Sequence, residues 1–168
     1  MSLIFSAITP HPPILIPQIG KDNIKLLYST KSALQNLANK LKDLNPETII
    51  VISPHGLVHS DAFTMNQNPN FKATFEEFGD LSTKVNFKGD IGLTHKIKED
   101  VETEIKLQLT SNEQIDHGVS VPLLNLTAGL TNTKIIPLYP SGLDNQAHYD
   151  FGKALAQEIF YNKNKIAV

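Results

Sequence analysis

The feature that most constrains this chain is the run Thr48-Ile-Ile-Val-Ile52, apolar and largely β-branched, closed by Ser53-Pro54-His55-Gly56. Such a run has no face to give to solvent, so it predicts a strand buried on both sides at the middle of a sheet. Proline at 54 lacks the donor that a further ladder bond would need, and the strand ends there. His55 is thereby delivered just beyond a carboxyl strand end. Open α/β sheets bind their ligands at that place.

The flanking sequence builds the rest of an α/β unit around that strand. Leu3 to Thr9 predicts a first strand, ended by Pro10. In His11-Pro12-Pro13-Ile14-Leu15-Ile16-Pro17 the prolines oppose a helix, so an extended segment is expected. From Asp22 onward Ile24, Leu27, Leu34, Leu37, Ala38, Leu41 and Leu44 fall on one stripe of a long helix, stopped by Asn45-Pro46. A strand, a crossover helix and a strand of one sheet run parallel.

Further along, 61–65 predicts a short strand and 71–87 an edge hairpin. Asp90 caps a helix carrying Leu93, Ile97 and Val101, and 104–109 alternates as a strand. A helix over 119–130 tolerates Pro122 if its first turn holds it. Lys134 to Tyr139 predicts another strand, with Pro137 marking an edge or a strand end. Asp144 caps a last helix, and Lys165-Ile-Ala-Val168 begins one more strand. The fold class is α/β, a three-layer α/β/α domain with a mainly parallel or mixed sheet, spanning residues 1–168 as a single unit.

Composition removes several kinds of partner. All 15 basic residues are Lys, against 17 Asp plus Glu, so the formal net charge is −2. That gives no electrostatic case for nucleic acid or a membrane surface. Without Arg there is no bidentate fork for phosphate or carboxylate. Without Cys there is no thiolate nucleophile, disulfide or Cys-ligated metal in this sequence. The N-terminus has no basic n-region and no apolar run approaches a membrane span, so a cytoplasmic location is expected.

Two histidines occupy matched positions, His11 after the first strand and His55 after the second. If those strands are neighbours, their ends lie about 4.8 Å apart, near enough for both imidazoles to meet one metal ion. Two unrelated loop histidines would show the same spacing. His117 stands between Asp116 and Gly118 at a helix start, where the helix dipole disfavours its cation and keeps it able to accept a proton. Taken alone, a capping turn with an exposed histidine is the simpler reading. His59, His95 and His148 lack a spacing that suggests ligation. Asp61, Glu113, Asp116 and Asp144 are the carboxylates nearest to expected strand ends.

Three motifs in order carry a resemblance: Ile8-Thr-Pro-His-Pro-Pro-Ile-Leu-Ile-Pro17, Ile52-Ser-Pro-His-Gly56 and Asp116-His-Gly-Val-Ser-Val-Pro-Leu123. Together they resemble the catalytic B-type subunit of the class III extradiol ring-cleavage dioxygenases, a superfamily that also holds the Memo-like proteins. The resemblance implies that His11 and His55 are metal ligands and that His117 is the catalytic acid/base. It implies Fe(II), with Zn(II) as the alternative, and a catechol-type aromatic cleaved with O₂. It further implies an oxidoreductase of aromatic catabolism, or, as the alternative, a non-catalytic Memo-like binding or scaffold protein that retains the pocket.

The resemblance places a third, carboxylate ligand well after the Asp-His-Gly motif, and none is identified in this chain. The domain is therefore expected to be incomplete at its C-terminus, or to complete its site by another route. As given, it is expected to hold metal weakly and to be inactive alone. The strand begun at Ile166 would leave a sheet edge unfinished, and a second copy covering it is a route to a homodimer.

Overall fold

Eight strands form one mixed sheet in the computed structural model, which describes residues 2–168. They are β1 (Leu3–Phe5), β2 (Thr48–Ile52), β3 (Phe63–Asn66), β4 (Asn70–Phe75), β5 (Asp80–Gly89), β6 (Leu107–Thr110), β7 (Lys134–Tyr139) and β8 (Ile166–Ala167). The helices are α1 (Pro17–Gly20), α2 (Tyr28–Leu44), α3 (Ile91–Val101), α4 (His117–Leu126) and α5 (Asn145–Tyr161). Across the sheet the order is β1-β8-β2-β7-β3-β6, with β5 also joined to β7 and β4 to β5. β2 runs parallel to both neighbours, in register with β7 from Thr48↔Lys134 to Ile52↔Leu138. β3 is antiparallel to β7.

The strand Thr48–Ile52 is central, and its side chains alternate between two cores. Ile49 packs under α2 and α4 with Leu34, Ala38, Leu41, Val119 and Leu123. Ile50 packs on the opposite face, where α3 and α5 contribute Ile97, Val101, Phe151 and Leu155. This is the expected three-layer α/β/α arrangement. At the amino end of the sheet the buried Asp90 caps α3 through the Leu93 N–H and accepts the Thr48 hydroxyl at 2.5 Å.

Several local expectations change. The proline-rich segment is not wholly extended: Pro13–Leu15 makes a 3₁₀ turn and Pro17 opens α1 from its first position. Proline suits that position because its missing N–H would have no helical partner there. Residues Lys21–Leu27 are 3₁₀, so the long helix starts at Tyr28, after the positive φ of 46° at Lys21 has broken the run. The hairpin over β4 and β5 forms at the margin of the sheet, with β5 joined to β7 at Lys88↔Lys134 and β4 paired to β5.

Two prolines sit where they were not expected. Because Asp116 caps α4 at His117, Pro122 lies inside the helix, where it leaves the Gly118 carbonyl without its helical donor. Pro137 lies in a central strand. Lys134 N–H and Leu138 C=O bond toward β2, and Ile135 C=O bonds toward Asp90 at the end of β5. By strand alternation Pro137 therefore faces the seam between β5 and β3, where no ladder donor is required.

The largest correction concerns β8. It lies between β1 and β2, pairing with both, so β1 and β2 are not neighbours. Ile166 and Ala167 are fully buried and form no open edge, which removes the basis for a dimer built on that edge.

Candidate metal centre

The three histidines of the sequence motifs meet above the carboxyl ends of β1 and β2. His11 lies in the loop after β1, with proline on either side to restrict its backbone. His55 lies in the turn after β2, and His117 is the first residue of α4. One ring nitrogen from each falls within 4.8 Å of the others. The Nε2 atoms of His11 and His55 stand 2.8 Å apart. The His117 ring centroid lies 4.2 Å from that of His55 and 5.9 Å from that of His11.

This donor set suits a divalent transition metal. Two nitrogens each about 2.1 Å from one ion, at a right angle, stand about 3.0 Å apart, close to the His11–His55 spacing. Two donors of one ion are never more than about 4.2 Å apart, so the tight pair is the better chelate and His117 the outer member. Among the described residues no carboxylate belongs to the cluster. A cavity of about 560 Å³ opens beside His11, walled by Ala7, Ile8, Ile52, Gly118 and Pro122 among others.

Over residues 6–168 the sequence matches the family described as the catalytic LigB subunit of aromatic ring-opening dioxygenase. The chain belongs to this family. Two curated proteins are similar to it. Protein CA_C1420 of Clostridium acetobutylicum is 25% identical over 169 residues, which cover 95% of this chain and 36% of that protein. The 2,3-dihydroxyphenylpropionate/2,3-dihydroxicinnamic acid 1,2-dioxygenase 2 of Dechloromonas aromatica is 27% identical over 126 residues, 70% of this chain and 38% of that protein. The chain thus spans well under half the length of either relative.

LigB-family enzymes depend on a metal, and the His11–His55–His117 cluster is the place in this chain that fits one. Its supports were not visible in sequence. Ser53 is buried, and its hydroxyl donates to Asp116 Oδ1 at 2.6 Å while accepting the His55 N–H at 3.2 Å. The same carboxylate oxygen accepts from the Gly118 and Val119 amides, which fixes the start of α4. Tyr139, at the end of β7, lies against Gly56 so closely that a Cβ there would stand 2.0 Å from its ring. Burial, and then the nearby Asp116 carboxylate, push the Tyr139 hydroxyl pKa well above its ordinary value. Phe78, from the turn between β4 and β5, meets the His117 ring edge-on at 5.2 Å.

His117 has its pKa lowered, as expected, although the leading cause is burial. The positive charge available to His55 and His11 adds to the effect, while Asp116 and Glu77 oppose it. A neutral imidazole results, able to accept a proton. The other candidates lie elsewhere. His148 bonds Ser141 N–H and packs on Phe63, and His95 is exposed on α3. Asp61 pairs with Lys106, Glu113 with Lys72, and Asp144 caps α5. Among the described residues no helix is long and apolar enough to cross a membrane.

Proposed function

We propose that this chain carries the metal and proton-handling centre of an Fe(II)-dependent extradiol dioxygenase acting on a catechol-type aromatic ring. The observation that carries this reading is the 2.8 Å approach of His11 and His55 with His117 at its side. His11 and His55 are the protein ligands, and the apolar cavity walled by Ala7, Ile8 and Ile52 receives the ring. An Fe(II) ion held there supplies positive charge that favours ionised ring hydroxyls and open positions where ring and O₂ can meet.

His117 takes a proton from a ring hydroxyl at its free nitrogen and returns one as the ring opens. Its burial, with Phe78 against its edge, keeps that nitrogen neutral and ready. Both atoms of O₂ enter the product, so no external reductant is needed. The lack of Arg leaves no guanidinium fork in this chain for an acidic substituent.

The test is anaerobic loading with Fe(II), then O₂ uptake matched to catechol loss. Expected, in any form of the protein that turns over, are loss of metal and turnover together in His11→Ala and His55→Ala, and metal without turnover in His117→Ala. Equal metal loss in all three makes His117 a ligand. Metal binding by the wild type with no catechol loss leaves the non-catalytic binding role.

A further inference from the structure

We propose that Ser53 is a positioning residue that ties the His55 turn to the cap of α4, so that His55 and His117 keep one geometry toward a metal ion. This rests on the reading of the histidine cluster as a metal centre. Ser53 is itself held in place, because its own N–H donates to Leu138 C=O at 3.0 Å. Its hydroxyl then makes two contacts in opposite directions. It accepts the His55 N–H at 3.2 Å and donates to Asp116 Oδ1 at 2.6 Å, joining segments 63 residues apart in sequence.

Asp116 shows that the tie is more than a helix cap. A surface cap keeps its second oxygen in water. Here, among the described residues, Asp116 Oδ2 is buried with no partner in regular hydrogen-bond geometry and faces the Tyr139 hydroxyl closely enough to raise its pKa, an inward placement that capping alone does not require. The carboxylate has been drawn inward to where the Ser53 hydroxyl can reach it. The fit leaves no spare room, since a Cβ on Gly118 would stand 2.2 Å from Ser53 Oγ and 3.0 Å from the His55 ring. His55 is otherwise exposed, and among the described residues its ring bonds to His11 alone. Its backbone N–H bond to Ser53 couples the turn that carries the ligand to β2 and α4.

Co(II) titration of the full 168-residue chain tests this, because its visible absorption reports ligand number and geometry. The wild type is expected to bind saturably. Ser53→Ala should lose affinity about tenfold, the scale seen when partners that orient metal ligands are removed, with an altered spectrum. Asp116→Ser keeps a capping oxygen for α4 but is too short to reach Ser53, and should show the same loss. The double variant should lose no more than either single one, since both break one tie. Circular dichroism and cooperative unfolding check that each variant folds, and Asp116→Ser decides alone if Ser53→Ala does not. Wild-type affinity and spectrum in the folded variants overturn the inference, making the hydroxyl a fold contact only. A wild type that takes no Co(II) overturns the metal centre and this inference with it.

Discussion

His11 and His55 bring their Nε2 atoms to 2.8 Å although the strands before them, β1 and β2, are separated by β8. The chain leaving β1 stays beside β8, where the Ala7 N–H donates to Val168 C=O, and crosses one strand width only beyond its end. That crossing falls to Pro10-His11-Pro12, whose prolines limit the conformations available. The convergence is thus a property of the loop after β1 and of the turn after β2.

Gly118→Ala is the sharpest substitution for separating local preference from tertiary fit. Alanine is the better helix former by about 0.8–1.0 kcal/mol, so propensity alone would stabilise α4. The new Cβ would, however, stand 2.2 Å from Ser53 Oγ and 2.9 Å from Asp116 Oδ1. A net loss of about 1–3 kcal/mol is expected, the usual scale of overpacking. Urea unfolding measures it, and a stabilised variant would show that the Ser53–Asp116 contact yields easily.

Gly56→Ala should be costly for a different reason. Its Cβ would meet the Tyr139 ring at 2.0 Å, and that ring is buried at the end of β7. Either the ring or the His55 turn must shift, at a cost of about 1–3 kcal/mol. A shifted His55 turn should also weaken metal binding, and combining Gly56→Ala with Tyr139→Ala should recover part of that loss. No recovery would mean that the turn fails for its own backbone reasons.

Asp80 gives a pH dependence away from the site. Hydrogen bonds from Thr83 and Ser82 hold its carboxyl down at about 2, below the ordinary value of 3.8. A folded-state pKa below the unfolded one contributes stability above the unfolded pKa and loses it as pH falls through the folded one. Asp80→Asn should therefore be less stable than the wild type near neutral pH. The gap should close from roughly pH 5 down to roughly pH 2. Thermal unfolding across that range checks it, and a constant gap would place the contribution of Asp80 in its shape and not its charge.

Much of the frame was legible because it is written locally. Thr48–Ile52 and Lys134–Tyr139 each announce a strand within a few residues, and Asp90, Asp116 and Asp144 mark helix starts through their own side chains. The three motif histidines were legible as strand-end and helix-start residues, and the structure brings them together. The order of strands was not, because β8 is two residues long and its place between β1 and β2 depends on distant partners. Pro137 misled for the same reason, as its harmlessness depends on the seam between β5 and β3. Nothing near Ser53 pointed to a partner 63 residues away, and nothing in the β4–β5 hairpin pointed Phe78 at His117.

The most direct test of the centre follows the imidazole signals of the chain's six histidines by NMR while Mn(II) is added to the otherwise metal-free protein. Paramagnetic broadening falls steeply with distance and reports even weak occupancy. Expected is early, joint loss of the His11, His55 and His117 signals while those of His95 and His148 persist, and no such loss in the His11→Ala/His55→Ala double variant. Uniform broadening of all six, or loss that begins at His95 or His148, would contradict a metal centre at this cluster.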